Sequence, residues 1–473
     1  MVTFFICLAI LIIGYILYGS FVEKVFKPDN RKTPCETHPD GVDFVPLKPW
    51  RAFLIQLLNI AGLGPIFGAL SGAIWGPSVL LWIVFGTIFA GAVHDFLSGM
   101  LSIRNDGASI SEIVGIYLGP KMKNVMRVFS VILLVMVGVV FMVGPAGLLA
   151  LLTPDTFDVV FWTIVILIYY FLATLLPIDK IIGKIYPIFG ICLILMAVGI
   201  GGATILNSDT RPMMEMTLQN LHPEGKPIWP FMFITVACGA ISGFHATQSP
   251  MVARCMTSEK QGRRIFYGAM VAEGIIALIW ACAGIAFYYK TDGGLIALLE
   301  AGGGNSSVVY EMSMELLGPI GGILAMVGVI ACPITSGDTA FRSARLTISD
   351  WFNIDQKNIK KRLLLSLPLL GIGYIISKFD YQVVWRYFSW SNQTLAMIAL
   401  WAGATYLGKC VNKKASLIAA IPATFMSAVS ATYILMAEEG FKLSTSIAYP
   451  VGIACAILFA GIFTYKVLFP AKK

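Results

Sequence analysis

Runs of about 20 apolar residues organise this chain, separated by short polar segments rich in Pro or Gly. A run of that length carries an α-helix across the hydrocarbon of a bilayer. Thirteen can be read, roughly at 2–22, 52–73, 78–103, 125–150, 158–176, 185–206, 229–250, 265–289, 317–341, 363–377, 385–408, 415–436 and 446–467. The expected fold class is therefore an all-α polytopic membrane protein with about 13 transmembrane helices. The longest intervening segments, 23–51, 207–228 and 290–316, are too short to bury a core of their own, so the chain reads as one membrane domain.

Most of these runs are plain, and two are not. The second contains Asn59-Ile60-Ala61-Gly62-Leu63-Gly64-Pro65-Ile66-Phe67-Gly68, and the seventh runs from Cys238-Gly239 through Ser242-Gly243-Phe244-His245 to Gln248-Ser249-Pro250. Gly and Pro loosen the helical ladder, and freed backbone groups are tolerated at membrane depth only where they face protein or water. Taken singly, either run is explained by a kink or by close helix packing. The spacing adds something. The second interrupted run comes five spans after the first, and an odd offset gives the two opposite orientations. Residues 52–206 and 229–408 then read as two inverted five-helix repeats, each opening on a broken helix. A first helix and loop (1–51) precede them, and two extra helices (415–473) follow. Broken helices in corresponding positions point to a transporter with its substrate at the midplane. Half-helix amides suit a carboxylate, and exposed carbonyls suit a cation.

Composition supports the membrane reading. The chain is 57% hydrophobic and 13% charged, with a mean hydropathy of +0.80, whereas soluble domains carry roughly 25% charged residues. A net charge of +8 would suit a nucleic-acid binder, but the basic residues sit in short clusters between spans. With the N-terminus outside and the C-terminus inside, most of the 34 Lys and Arg residues fall inside, Lys180 and Lys184 among them. The outside loops carry Asp155, Asp158, Glu438 and Glu439. That is the charge asymmetry of a protein in the cytoplasmic membrane. The first run lacks a small-residue cleavage site and is expected to stay as a helix rather than be removed as a signal peptide. Nine cysteines form no CxxC pair, so neither a disulfide framework nor a metal centre is expected. Without a Walker loop or HExxH, no enzymatic activity is expected, and no cofactor beyond a coupling ion.

Ionisable residues inside a membrane are costly and usually functional. His94-Asp95 lies in the third span, His245 in the seventh and Glu273 in the eighth. Pairing with a basic residue is the simplest account of Glu273. His94 beside Asp95 reads either as a proton relay or as an imidazole held for packing. His245, inside the interrupted segment, is the histidine expected to touch substrate or proton. The ninth span ends in Thr335-Ser336-Gly337-Asp338-Thr339 followed by Arg342 and Arg345. Hydroxyls beside a carboxylate suit sodium, while Asp338 alternatively neutralises Arg342 one turn on. Asn392 and Gln393 read as interhelical glue or as substrate contacts.

At these residues the chain resembles the carbon starvation protein A family. The matching stretches are NIAGLGPIFG (59–68), GAVHDF with RNDG (91–107), CGAISGFHATQSPMVAR (238–254), TSGDTAFRSAR (335–345) and WRYFSWSNQTLA (385–396). The resemblance implies the amino acid–polyamine–organocation superfamily and a leucine-transporter-like core of two inverted five-helix repeats. It implies a substrate place between Gly62–Gly68, Gly64 included, and Ser242–Gln248, Gly243 and His245 included, and Asn59 and Asn392 join these as candidate contacts. It implies cation coupling at carbonyls of Gly62 and Pro65 and hydroxyls of Thr335, Ser336 and Thr339, while Asp338, His94 and Asp95 are candidates for ion or proton coupling by their own chemistry. Family members are described as taking up pyruvate or peptides, and this chain looks like the shorter branch. The expected function is an ion-coupled symporter for such a small nutrient, coupled to protons or sodium. A nutrient sensor is the rival, disfavoured by the short tail after the last span; broken helices argue against a channel.

Overall fold

The structure is a computed structural model that describes residues 1–40, 43–175, 178–289, 294–295, 304–354, 356 and 358–469, except for the side chains of 175–187 and 324. Lys180 and Lys184 therefore fall outside the described side chains. Every regular element among the described residues is helical. Eight helices are each long and apolar enough to cross a membrane, or ten if two bent pairs each count as one. The expectation of thirteen exceeds that figure by three segments. Val159–Leu175 has only 17 residues. The segment around 229–250 is in pieces, and Ile359–Ile376 opens on Lys360, Lys361 and Arg362.

Helices at the edge and centre of the bundle differ in what they bury. Val2–Phe26 is apolar on all sides, as expected of a helix solvated by lipid, and only 28% of its most apolar window is buried. Phe5, Ile6, Ile13, Ile16 and Leu17 all face outward. In Thr445–Leu468 the figure is 22%, whereas in Glu259–Tyr288 it is 89%. The central helices thus touch protein on every side, and polar groups there are shielded from lipid and water alike.

The two interrupted runs are interrupted in space. Pro49, well placed at a first helical position, opens Pro49–Ile60, which stops at Ala61 (φ −83°, ψ 55°). A wide turn, Gly64–Gly68, then leads into Ala69–Ala73, so that the two arms are bent by 54°. The second comprises Ile228–Met232 and Phe233–Thr235, a non-helical stretch at 236–242, and Gly243–Ala253. Around them, Pro120–Leu152 packs along Gly304–Phe352, itself broken at Gly318 (φ 69°), and Tyr381–Tyr406 packs on Leu417–Met436.

The two ends of the bundle are distinguishable. At one, the amides of Val2 and Thr3 donate to the Glu215 carboxylate at 3.0 and 2.8 Å, placing the loop after Ile178–Leu206 there. At the other, Phe26 and Lys27 meet Arg104 and Glu259.

Candidate functional site

The two breaks cross. A Cβ built on Gly64 would lie 2.1 Å from Cys238 Cβ, so only a glycine lets the backbones approach this closely. Breaking a helix leaves amides and carbonyls without their usual partners, and at the second break side chains of neighbouring helices meet several of them. Asn392 Oδ1 accepts from the Phe244 amide at 2.7 Å and from the Ser242 hydroxyl at 3.1 Å. Its Nδ2 donates to the Ala237 carbonyl at 2.7 Å. Asn392 thereby acts as the N-cap of Gly243–Ala253 from a different helix. Gln393 donates to the Val236 carbonyl at 3.2 Å, and Thr87 to the Gly239 carbonyl at 3.0 Å. Gly243 fits tightly here, since its Cβ would sit 2.3 Å from the Asn392 carbonyl oxygen.

The first break is supported differently. Its helix-end carbonyls receive donors from Gly304–Phe352: the Cys332 thiol reaches the Ala61 carbonyl at 2.9 Å and the Ser336 hydroxyl the Leu58 carbonyl at 3.1 Å. The carbonyls expected to coordinate a cation, those of Gly62 and Pro65, follow Ala61 along the chain, beyond the last residue of Pro49–Ile60. Thr335 and Thr339 bond carbonyls of their own helix, Cys332 and Ser336 respectively. Asp338 faces Arg342, 3.7 Å away. Gly68 lies by the second break, its Cβ position 3.3 Å from the Thr235 carbonyl oxygen, and Pro65 neighbours Gly239. Asn59 Oδ1, Gln56 Oε1 and Gln248 Oε1 are buried oxygens without a hydrogen-bond partner among the described residues.

Below the crossing, four ionisable side chains form a buried line. Asp95 Oδ1 lies 2.8 Å from His94 Nδ1, and Oδ2 lies 2.8 Å from His245 Nδ1. On its other edge, His245 Nε2 is 3.4 Å from Glu273 Oε2. All four are sealed from solvent. Residues read separately along the sequence, in the third, seventh and eighth spans, are thus brought to one place. Glu273 touches no Lys or Arg among the described residues, so the basic partner expected from sequence is absent, and an imidazole stands in its place. Cys238 Sγ lies within 4.8 Å of the His245 and Glu273 donor atoms, and also receives a hydrogen bond from Asn392 Nδ2.

Above the crossing, a cavity of ≈ 1170 Å³ reaches toward the breaks from the Thr3 end. Ser71 and Thr235 line its floor; Trp75, Trp385, Asp155 and Glu439 are among its walls. The opposite end is closed by an ionic cluster that the sequence did not flag. Glu259, fully buried, pairs with Arg104 at 2.6 Å and Arg31 at 3.6 Å, and accepts from the Asp29 amide at 2.7 Å. Arg104 also bonds Tyr406 and the Lys27 carbonyl, and stacks 3.9 Å from the Phe26 ring centre. The Arg31 guanidinium, bonded to Asp29 at 2.7 and 2.9 Å, holds that carboxyl well below the usual carboxylate range. Nothing in the composition of a short polar loop distinguishes Glu259 from its exposed neighbours, so no pattern could have found it.

Residues 1–154 and 146–298 match the model of the family described as carbon starvation protein CstA. An uncharacterised membrane protein of Haemophilus influenzae is 44% identical over 339 residues, 61% of this chain and 91% of that one. The peptide transporter CstA of Bacillus subtilis is 27% identical across 86% of this chain and 85% of its own length. The pyruvate/proton symporter BtsT of Escherichia coli is 25% identical across 69% of this chain and 56% of its own length. Among solved structures, a variant of the Eremococcus coleocola manganese transporter superposes with a TM-score of 0.58 at 10% identity, covering 91% of this chain and 98% of that one. MhsT in complex with L-phenylalanine superposes with a TM-score of 0.55 at 17% identity, covering 88% and 97%. At such identities the likeness is one of fold.

Proposed function

The chain belongs to the carbon starvation protein CstA family, and from that membership we propose that it is an ion-coupled symporter importing a small nutrient, such as pyruvate or a short peptide. It is a multi-pass membrane protein with transporters among its relatives and its structural neighbours. The observation that carries the finer reading is the crossing of two broken helices at Gly64 and Cys238, beneath a cavity open at one end and above an ionic cluster at the other. Alternating access needs that asymmetry: a midplane site reached from one side while the other is shut. We assign the two repeats to 52–206 and 229–408. Substrate then lies between Asn59–Gly68 and Ser242–Gln248, reached through the cavity floor. Asn392 holds the second break in shape beneath it. The acidic Thr3 end is placed outside and the Arg- and Lys-rich Glu259 end in the cytoplasm of a cytoplasmic membrane, following the positive-inside bias.

The ion has two candidate places. One is the seam of Leu58 and Ala61 carbonyls with Ser336, a set of hard oxygens. The other is the titratable line His94–Asp95–His245–Glu273. Uptake into proteoliposomes separates the readings. Labelled pyruvate and labelled dialanine are each offered with an inward proton gradient, an inward sodium gradient or neither. Accumulation driven by one gradient is the expected result. Uptake that only equilibrates would make the protein a facilitator, and saturable binding without uptake would make it a sensor.

A further inference from the structure

Glu273 is the sixth residue of Gly268–Tyr288, fully buried, and neither of its carboxyl oxygens has a hydrogen-bond partner among the described residues. The titratable groups around it are His245 and Cys238 on the second broken span, Asp95 and His94 on Ala92–Arg104, and Cys332 on Gly304–Phe352. None of these brings a permanent positive charge. With His245 neutral, an ionised carboxylate in this position would have neither a donor nor a cation among the described residues, at a cost of several kcal/mol. The neutral acid avoids that cost, and its O–H has an acceptor in His245 Nε2 at 3.4 Å.

The hydrogen count closes around this arrangement. Asp95 lies between two imidazole Nδ1 atoms at 2.8 Å each, and a carboxylate can only accept, so each Nδ1 carries a hydrogen and donates it. A neutral His245 with its hydrogen on Nδ1 presents a lone pair at Nε2, and that atom has no other partner among the described residues. The line therefore holds one proton free to move. Its donor and acceptor sit on different elements: Glu273 on a continuous helix, and His245 two residues into the helix that begins at the second break.

We propose that Glu273 is the proton-binding residue of the transport cycle. On transfer, the Glu273 O–H bond breaks and an N–H bond forms at His245 Nε2. A Glu273 carboxylate is left beside an imidazolium whose Nδ1–H still faces the Asp95 carboxylate. The total charge of the cluster is unchanged until the proton leaves it. Any movement of the second broken span against Gly268–Tyr288 lengthens or shortens the 3.4 Å contact, so occupancy by the proton and position of the break depend on one another. Asp338 does not fit this role, because Arg342 already balances its charge.

This assignment rests on the symporter reading, and its test is designed to fail separately. In proteoliposomes, Glu273→Gln keeps the shape and removes the exchangeable proton. It should lower gradient-driven accumulation of labelled pyruvate or dialanine by at least about fivefold, the low end of a typical coupling free energy. It should flatten the pH dependence of uptake, and reduce substrate exchange at zero gradient much less; Glu273→Asp should restore part of the accumulation. Wild-type accumulation and pH profile in Glu273→Gln would overturn the proposal, and so would an equal loss of exchange and accumulation in a folded variant. If Glu273→Gln does not fold, infrared difference spectroscopy of the wild-type protein decides. A protonated-carboxyl band perturbed by the added probe supports the assignment, and no such band at neutral pH overturns it. Wild-type protein that exchanges neither probe would sink the transport reading, leaving the infrared band to judge the proton on its own.

Discussion

The two broken spans do the same geometric job with opposite chemistry. At the first, the chain leaves Pro49–Ile60 with carbonyls facing Gly304–Phe352, which supplies a thiol and a hydroxyl to meet them. At the second, a longer stretch, 236–242, is held by amides from Asn392 and Gln393, and a histidine follows at once. One break thus presents carbonyl and hydroxyl oxygens beside a buried thiol, and the other, held by amides, leads into histidine and carboxylate groups whose charge changes with proton count. The difference teaches that a broken helix is not by itself an ion site. What a break can bind depends on which side chains its neighbours use to satisfy the freed backbone.

That contrast can be tested by removing each support in turn. Asn392→Ala should have the largest effect. It strands the Phe244 amide and the Ala237 carbonyl in a buried site, and at about 1–3 kcal/mol for each unsatisfied group the loss is roughly 2–6 kcal/mol. A large fall in melting temperature in detergent would show it, while a wild-type melting curve would mean the second break holds itself. Gly64→Ala comes next. Its Cβ meets Cys238 Cβ at 2.1 Å, and forced overpacking costs about 1–3 kcal/mol. Uptake should drop sharply, and adding Cys238→Gly to the same chain should recover part of it. A double variant no better than the single one would show that the crossing is not where the clash arises. Ser336→Ala should be mildest, removing one donor to the Leu58 carbonyl for about 0.5–1.5 kcal/mol. Proton-driven accumulation should persist in it. Its loss, with stability intact, would move the ion to the first break.

Much of this contrast could be read from the chain, and the part that could not has a physical reason. The Gly–Pro clusters at 59–68 and 238–250 marked the interrupted helices, because few other residues permit that backbone at membrane depth. His94, Asp95 and His245 stood out because charge is rare in apolar runs. Glu273 is noticeable in the sequence but reads there as held by a basic partner, because the absence of one among the described residues depends on three helices meeting, and no spacing within one helix encodes that. Asn392 posed a different difficulty. A buried amide is compatible with substrate or with backbone, and only the positions of Phe244 and Ala237 show that its side chain is already engaged. Cys332 was passed over because a cysteine in an apolar run is usually filler.

The first helix, peripheral as it is, is fastened at both ends: by the Glu215 carboxylate to its opening amides, and by Arg104 to the Phe26 and Lys27 carbonyls at its close. A free helix of 25 residues meets a bilayer of the wrong thickness by tilting. A helix tethered at top and bottom has lost that freedom. A change in bilayer thickness would then load the Arg104–Glu259 cluster instead of simply tilting the helix.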